Sequence, residues 1–457
     1  MKIIIVGCGK IGTTIVENLV KEGHDVVAVD RSASAVEEIN NIYDAMCVCG
    51  NGSDNDTLSE AGVERCDLFV AVTGSDETNM LSCFLARRMG AKHTIARIRN
   101  PEYNDRSLGY LCQQLELSMA INPELQTAHE LYNILKLPSA AHIETFAGGS
   151  FELIELWLKS DSPLDGMALS ELRRRYAAKF LICAVQRENE LIIPSGTFVL
   201  RAGDRIALTA APNEIQKLLR QLGILQKQAR NVMVLGGSRT AYYLSRLLLT
   251  GGNSVKIIER DRDRCAELSA NLPGAVLIHA DGTGQEALLE EGLRSVDAFV
   301  SLTGSDEENI LISIFAASQE VPKVIAKVNR NELASLADKL GLDCIVSPKK
   351  TIAGILTRYA RALQNTEGSS VESLYRIMDD RAEMLEFRVM PNFPYANIPI
   401  VELQQTHGLL PGVLIAGIIR GRRTIIPTGA DTIQPGDRVI VLSADHRLNE
   451  LSDIIRR

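Results

Sequence analysis

The sequence predicts an α/β protein: two doubly wound parallel-sheet domains, each followed by a small α+β module. Three observations carry this prediction. First, the 457-residue chain is written twice: IIIVGCGKIG (3–12) answers VMVLGGSRTA (232–241), AVTGSDETNM (71–80) answers SLTGSDEENI (301–310), and IIPSGTFVLRAGDRIAL (192–208) answers IIPTGADTIQPGDRVIV (425–441). The spacing is kept, since Gly7 to Gly236 and Asp30 to Glu259 are both 229 residues apart. A repeat this long is a duplicated domain pair, because solenoid units run to only about 20–50 residues. Second, apolar runs of strand length alternate with helical periods early in each copy, as in a parallel sheet covered on both faces. Third, strands of period two dominate late in each copy.

The elements follow in order. KIIIVG (2–7) reads as an apolar strand ending in a glycine turn, and TTIVENLVKEG (13–23) as a helix stopped by Gly23. DVVAVD (25–30) is the second strand, SASAVEEINN (32–41) a helix, AMCVCGN (45–51) the third strand and TLSEAGV (57–63) a short helix. DLFVAVT (67–73) is the fourth strand, ETNMLSCFLARRMG (77–90) a helix ended by glycine, TIARIR (94–99) the fifth strand and MAINP (119–123) the sixth. A helix over 124–137 closes the unit before Pro138. FELIELWL (151–158) then alternates, and LDGMALSELRRRY (164–176) is a turn and helix. FLICAVQRENELIIPSG (180–196) reads as a hairpin about Glu188–Asn189, GDRIALTAA (203–211) as a strand and NEIQKLLRQLG (213–223) as a final helix. The polar stretch 225–230 is the linker, the second copy repeats the plan, and the glycine–serine stretch at 368–370 marks its inner boundary. Four domains are expected, at 1–140, 141–225, 231–368 and 369–457.

Composition excludes several classes. With 49 basic against 57 acidic residues, the net charge of −8 argues against nucleic acid as a partner. The nine cysteines are scattered, and Cys8, Cys183 and Cys344 sit in apolar runs, as expected of buried thiols in a reducing compartment. Cys47 and Cys49 have no second pair, so no metal site is expected. The opening MKIIIVGCGK is too short and glycine-broken for a signal peptide, and no run approaches the roughly 18–20 apolar residues of a spanning helix. A soluble protein is expected, with any membrane role exercised through a partner.

The chemistry points to nucleotide binding. Gly7-x-Gly9-x-x-Gly12 follows a predicted strand, opens a helix and precedes the strand-end acid Asp30, the context of a Rossmann-like dinucleotide fingerprint. Gly7 allows the tight turn, Gly9 lets a pyrophosphate approach the backbone, and Gly12 lets helix and strand pack closely. The phosphates would meet the helix N-terminus, and Asp30 the ribose hydroxyls, favouring NAD or an adenine nucleotide over NADP. The competing reading is a Rossmann-like fold that has lost its ligand. The second copy departs from the fingerprint: Gly236 stays, Ser238 replaces the second glycine, Ala241 the third, and Glu259 lengthens the acid. In TGSDE (73–77), Thr73-x-x-Asp76 reads as a helix-capping box, while Thr73, Gly74 and Asn79 also fall beside the nucleotide at the carboxyl end of the sheet. Arg97 and Arg99 end the fifth strand at the same crevice, with Lys327 the counterpart of Arg97. The seven histidines share no spacing between copies, and neither a serine elbow nor a P-loop lysine is found, so no catalytic residue is assigned.

The order GCGKIG, Asp30, GNGSD (50–54), TGSDETN (73–79), ARIRNPEY (96–103) and a strand-rich module ending in A-G-D or P-G-D resembles the RCK domain family, each half carrying an N-lobe and a C-lobe. The tandem form resembles the peripheral nucleotide-binding subunits of Trk potassium-uptake systems. That resemblance implies NAD(H) and/or ATP/ADP as ligands, a TrkH-like membrane potassium transporter subunit as partner, and a homo-oligomer, expected as a tetramer, at the inner face of the cell membrane. It implies a first ligand set of Gly7, Cys8, Gly9, Lys10, Ile11, Gly12, Asp30, Arg31, Asn51, Thr73, Gly74, Asn79 and Arg97. The matching second set is Gly236, Gly237, Ser238, Arg239, Thr240, Glu259, Thr303, Gly304 and Lys327. It also implies that the helix 124–137 is a crossover exchanged between paired lobes. The function expected is regulatory, gating potassium flow through ligand-dependent ring rearrangement. The alternatives are an NAD-dependent oxidoreductase and a nucleotide sensor for a different transporter.

Overall fold

The computed structural model describes residues 1–103, 105–188, 190–342, 344–364, 371–378, 381–444 and 446–456. The boundary expected at 368–370 and Asn189 of the expected hairpin tip lie outside the described residues.

In chain order, the first lobe runs β1 (Lys2–Val6), α1 (Lys10–Lys21), β2 (Asp25–Asp30), α2 (Ala33–Ile42), β3 (Met46–Cys49), α3 (Asn55–Glu60), β4 (Leu68–Ala71), α4 (Asp76–Met89), β5 (His93–Arg97), α5 (Asp105–Gln114), β6 (Met119–Ile121) and α6 (Pro123–Lys136). The module after it has β7 (His142–Phe146), β8 (Phe151–Trp157), α7 (Leu169–Arg175), β9 (Phe180–Arg187), β10 (Glu190–Ile192), β11 (Arg205–Ala210) and α8 (Pro212–Gln221). The second copy continues with β12 (Asn231–Leu235), α9 (Arg239–Thr250), β13 (Ser254–Glu259), α10 (Arg262–Asn271), β14 (Val276–His279), α11 (Gln285–Glu290), β15 (Ala298–Ser301), α12 (Asp306–Ser318), β16 (Lys323–Lys327), α13 (Asn331–Lys339), β17 (Ile345–Val346) and α14 (Pro348–Gln364). It ends with β18 (Val371–Ile377), β19 (Ala382–Arg388), the short α15 (Ile400–Glu402), β20 (Val413–Arg420), β21 (Arg423–Ile425) and β22 (Arg438–Ser443).

These elements gather into two compact units. One comprises Met1–Leu131, Asn231–Val321 and Ile325–Ala360, so it holds both parallel sheets. Their orders are β3-β2-β1-β4-β5-β6 and β14-β13-β12-β15-β16-β17. Each is a Rossmann-like sheet, and each reverses direction of growth between its first and fourth strands, where ligands of open α/β sheets bind. Ile3, Ile4 and Ile5 of β1 are fully buried, flanked by β2 and β4 in register (Ile3 opposite Val26 and Leu68). Each such side chain contributes about 1.5–3 kcal/mol, so this central strand anchors the lobe.

The other unit comprises Tyr132–Arg230, Pro322–Val324 and Arg361–Arg457. It contains two five-stranded antiparallel sheets, ordered β10-β9-β11-β8-β7 and β18-β19-β22-β20-β21. One core joins them: Phe146, Phe151, Leu153 and Cys183 pack with Met378, Met384, Ala416 and Leu442. The repeated G-D-R motif has a local cause here. Asp204 accepts both guanidinium nitrogens of Arg187 at 2.8 Å and the Arg201 N–H at 2.8 Å, tying the loop before β11 to β9. Asp437 does the same for Arg420 and the Gln434 N–H.

Several element ends differ from expectation. Helix α1 starts at Lys10, earlier than the expected 13, because the glycine loop itself forms its first turn with Gly9 as N-cap. Helix α5 and strand β7 were not expected; α5 packs Leu108, Leu111 and Cys112 on the first lobe's core, and β7 pairs antiparallel with β8.

Candidate functional site

The glycine loop is shaped by contacts that exclude a side chain at two positions and admit one at a third. Gly7 has φ +101°, and a Cβ on it would lie 2.8 Å from the Thr73 nitrogen. A Cβ on Gly12 would lie 1.8 Å from the Gly7 carbonyl oxygen, so helix and strand touch backbone to backbone. A Cβ on Gly9 would meet nothing within 4 Å. Gly9 caps α1 with no side-chain hydrogen bond, which leaves the first-turn N–H groups for an anion. Asp30 is fixed at the adjoining strand end, accepting from the Cys8 N–H at 2.6 Å and the Ser32 N–H at 2.8 Å. Beside it, the Arg31 guanidinium donates to Asn51 Oδ1 at 2.6 Å.

The end of β4 corrects one expectation. Thr73 is not the helix cap; Ser75 is, accepting from the Thr78 N–H at 3.1 Å. Asp76 instead takes the Arg99 and Asn100 N–H groups, both at 2.8 Å, which ties the start of α4 to the chain after β5. Thr73 is held by buried Asn79, whose Oδ1 accepts from the Thr73 N–H and hydroxyl at 2.7 Å. Asn79 Nδ2 donates to the Arg97 carbonyl at 2.9 Å. The Arg97 guanidinium in turn donates to the Thr73 carbonyl. Arg97 is only 7% exposed, and its Nε has no hydrogen-bond partner among the described residues. Burial, with Arg99 nearby, pulls its pKa down to about 10, still cationic at neutral pH.

These groups open on one cavity of about 630 Å³, within the range of small-molecule sites. Gly7, Gly9, Lys10 and Ile11 form its loop wall, and Asp30, Arg31 and Asn51 one end. Thr73, Gly74 and Arg97 form the β4–β5 side. Three expected ligand residues are not in its wall. Cys8 is buried, its thiol pushed up to about 12 by desolvation, and Gly12 and Asn79 act from behind as packing and positioning residues. Among the wall residues outside the expected sets, three come from the second copy: Asn329, Pro348 and Lys349. No sequence signal near the glycine loop points to them; the repeat shows only that NPEL (122–125) and SPKK (347–350) open corresponding helices.

The second copy keeps the frame and fills it differently. Gly236 repeats the positive φ, and Asn309 repeats the Asn79 network on Thr303 and the Lys327 carbonyl. Glu259 accepts from the Gly237 N–H, but Arg264 Nε also holds the Gly237 carbonyl at 2.6 Å. Ser238 caps α9 by accepting from the Ala241 N–H at 3.3 Å, which occupies a donor that α1 leaves open. Arg239 is exposed, Thr240 is buried, Gly304 follows Thr303 in the loop, and Lys327 reaches the Leu302 carbonyl at 3.3 Å with its pKa lowered by burial. Among the described residues no cluster of His, Cys, Asp and Glu is arranged to hold a metal ion.

The TrkA-N domain family matches residues 3–123 and 232–348, and the TrkA-C domain family matches 153–223 and 384–456. The chain belongs to the TrkA family. A Trk system potassium uptake protein TrkA homolog of Archaeoglobus fulgidus is 32% identical over 456 residues, covering 100% of both chains. The TrkA of Vibrio alginolyticus is 32% identical over 445 residues, covering 96% of this chain and 95% of its own. Among solved structures, the GsuK RCK domain has a TM-score of 0.63 at 19% identity, covering 97% of this chain and 92% of that one. The GsuK channel bound to NAD has a TM-score of 0.62 at 18% identity, covering 97% and 77%. These two likenesses show that the TrkA-family chain has the RCK fold.

Proposed function

We propose that this chain is a nucleotide-sensing regulatory subunit of a membrane potassium-uptake system, without catalytic activity of its own. The observation that carries the reading is the first cavity: an uncapped helix N-terminus, an open Gly9 and a buried Arg97 with a spare donor converge there. That donor set suits a pyrophosphate, and Asp30 at the other end suits ribose hydroxyls. NAD(H), ATP and ADP share both groups. Relatives aligned along the whole chain are named for Trk potassium uptake, which supports the potassium system as the setting. No helix among the described residues is long and apolar enough to cross a membrane, so the pore belongs to another chain in this reading, a TrkH-like subunit. The four expected lobes would assemble as a homo-oligomeric ring at the inner face of the cell membrane. A ligand moves such a ring only if it binds one shape better than another; a hundredfold preference supplies about 2.7 kcal/mol per site.

Two measurements test this. Asp30→Ala is expected to weaken adenosine-containing ligands by about ten- to a hundredfold, the worth of charge-assisted bonds to two hydroxyls. An unchanged dissociation constant at an unchanged melting temperature would reject that role. Potassium flux through the reconstituted membrane partner is expected to change when NADH, NAD, ATP and ADP are exchanged. Flux indifferent to all four, or steady turnover of NADH by the purified chain, would defeat the proposal.

A further inference from the structure

We infer that Lys349, carried by the second copy, is the specificity residue through which the first cavity recognises the terminal phosphate of a nucleoside triphosphate. The inference rests on the nucleotide-binding reading above and adds a ligand preference to it. Helix α14 opens with Pro348 and Lys349, and both line the first copy's cavity beside Asn329. Lys349 is half-buried there, and among the described residues no carboxylate is ion-paired with its ammonium. Burial lowers its pKa, and the charge of Lys10 lowers it further; Arg330 acts in the same sense, while Asp306 and Glu332 oppose it. Lys10 stands in the first turn of α1 and lines the same cavity as Lys349, and the two charges act on each other, which favours the phosphate end for the Lys349 ammonium.

Lys10, Lys349 and the buried Arg97 thus bring three cations to one concavity from three different elements. A diphosphate can be satisfied by the α1 N-terminus and Arg97. A third phosphate adds charge that can bridge Lys10 and Lys349, turning their repulsion into two charge-assisted contacts. The counterpart of Lys349 is an acid: Pro123 and Glu124 open α6 as Pro348 and Lys349 open α14. Glu124 is ion-paired with Arg99 at 3.7 Å and its charge acts on both Arg97 and Lys327, so the repeat places an acid at the position where Lys349 supplies a base.

The experiment is calorimetric titration of the full chain with ATP, ADP and NAD. Lys349→Gln is expected to weaken ATP by about tenfold or more and ADP or NAD by less than about threefold, with Lys349→Arg restoring most of the ATP affinity. Lys10→Gln, which leaves α14 untouched, is expected to cost ATP more than ADP as well. Equal losses for ATP and ADP, or no loss, overturn the role of Lys349 and leave nucleotide binding standing. A wild-type chain that binds none of the three overturns both.

Discussion

Asn79→Ala is expected to destabilise the first lobe by about 3–5 kcal/mol, read as a shift in the denaturant midpoint of the full chain. Asn79 is 0% exposed and its amide joins four groups: the Thr73 N–H, hydroxyl and carbonyl, and the Arg97 carbonyl. Alanine leaves at least two backbone groups buried without partners, at about 1–3 kcal/mol each, and adds the loss of packing around the missing amide. The damage reaches the cavity because Thr73 and Arg97 are both in its wall. Nucleotide affinity is expected to fall with stability, although Asn79 is not itself in the cavity wall. Asn309→Ala should cost a similar amount, since Asn309 makes the same backbone bonds in the second copy and accepts from the Ser301 hydroxyl in place of a threonine's. A loss below about 1 kcal/mol at Asn79 would show that water replaces the amide and that the network does not hold the site.

Gly12→Ala is the second large effect, about 3 kcal/mol, at the upper end for overpacking because the obstacle is backbone. The new Cβ would sit 1.8 Å from the Gly7 carbonyl oxygen, so α1 must move away from β1 or the loop must open. Either movement disturbs the N–H groups of the first turn, and adenine-nucleotide affinity should drop by at least about tenfold along with the melting temperature. The second copy supplies the control. Ala241 occupies the corresponding place and is fully buried, so α9 already accommodates a methyl group there. Ala241→Gly should cost only about 1 kcal/mol, mostly helix propensity. Equal costs at the two positions would mean that the close approach at Gly12 carries no special weight.

What the sequence revealed and what it hid have physical reasons. Buried parallel strands were plain because three consecutive isoleucines in β1 leave no polar face to read otherwise. The glycine loop was plain because its residues are close in sequence and each glycine has a separate steric task. Helix α5 was missed although Leu108, Leu111 and Cys112 have helical spacing; Gly109 and exposed Tyr110 between them blur the pattern. Strand β7 was missed because it is an edge strand with His142 and Glu144 alternating among its apolar residues. In TGSDE two residues compete for the cap, and the contest is decided by Asn79, which claims Thr73 and leaves Ser75 to α4. Lys349 is hidden for a different reason: it lies far along the chain from the loop it faces, and only packing within the unit brings them together.

Two identical chains that meet about a twofold axis must show each other the same surface, so any residue change is made twice. Here the two copies are stretches of one polypeptide, and no such constraint applies. Position 124 carries an acid and position 349 a base, at corresponding places of the repeat. One codon can therefore retune one pocket while its twin stays as it was. The fused arrangement lets heredity divide labour inside a pair: one half can keep the loop and the acid of a pocket while the other varies the side chains it adds to the wall.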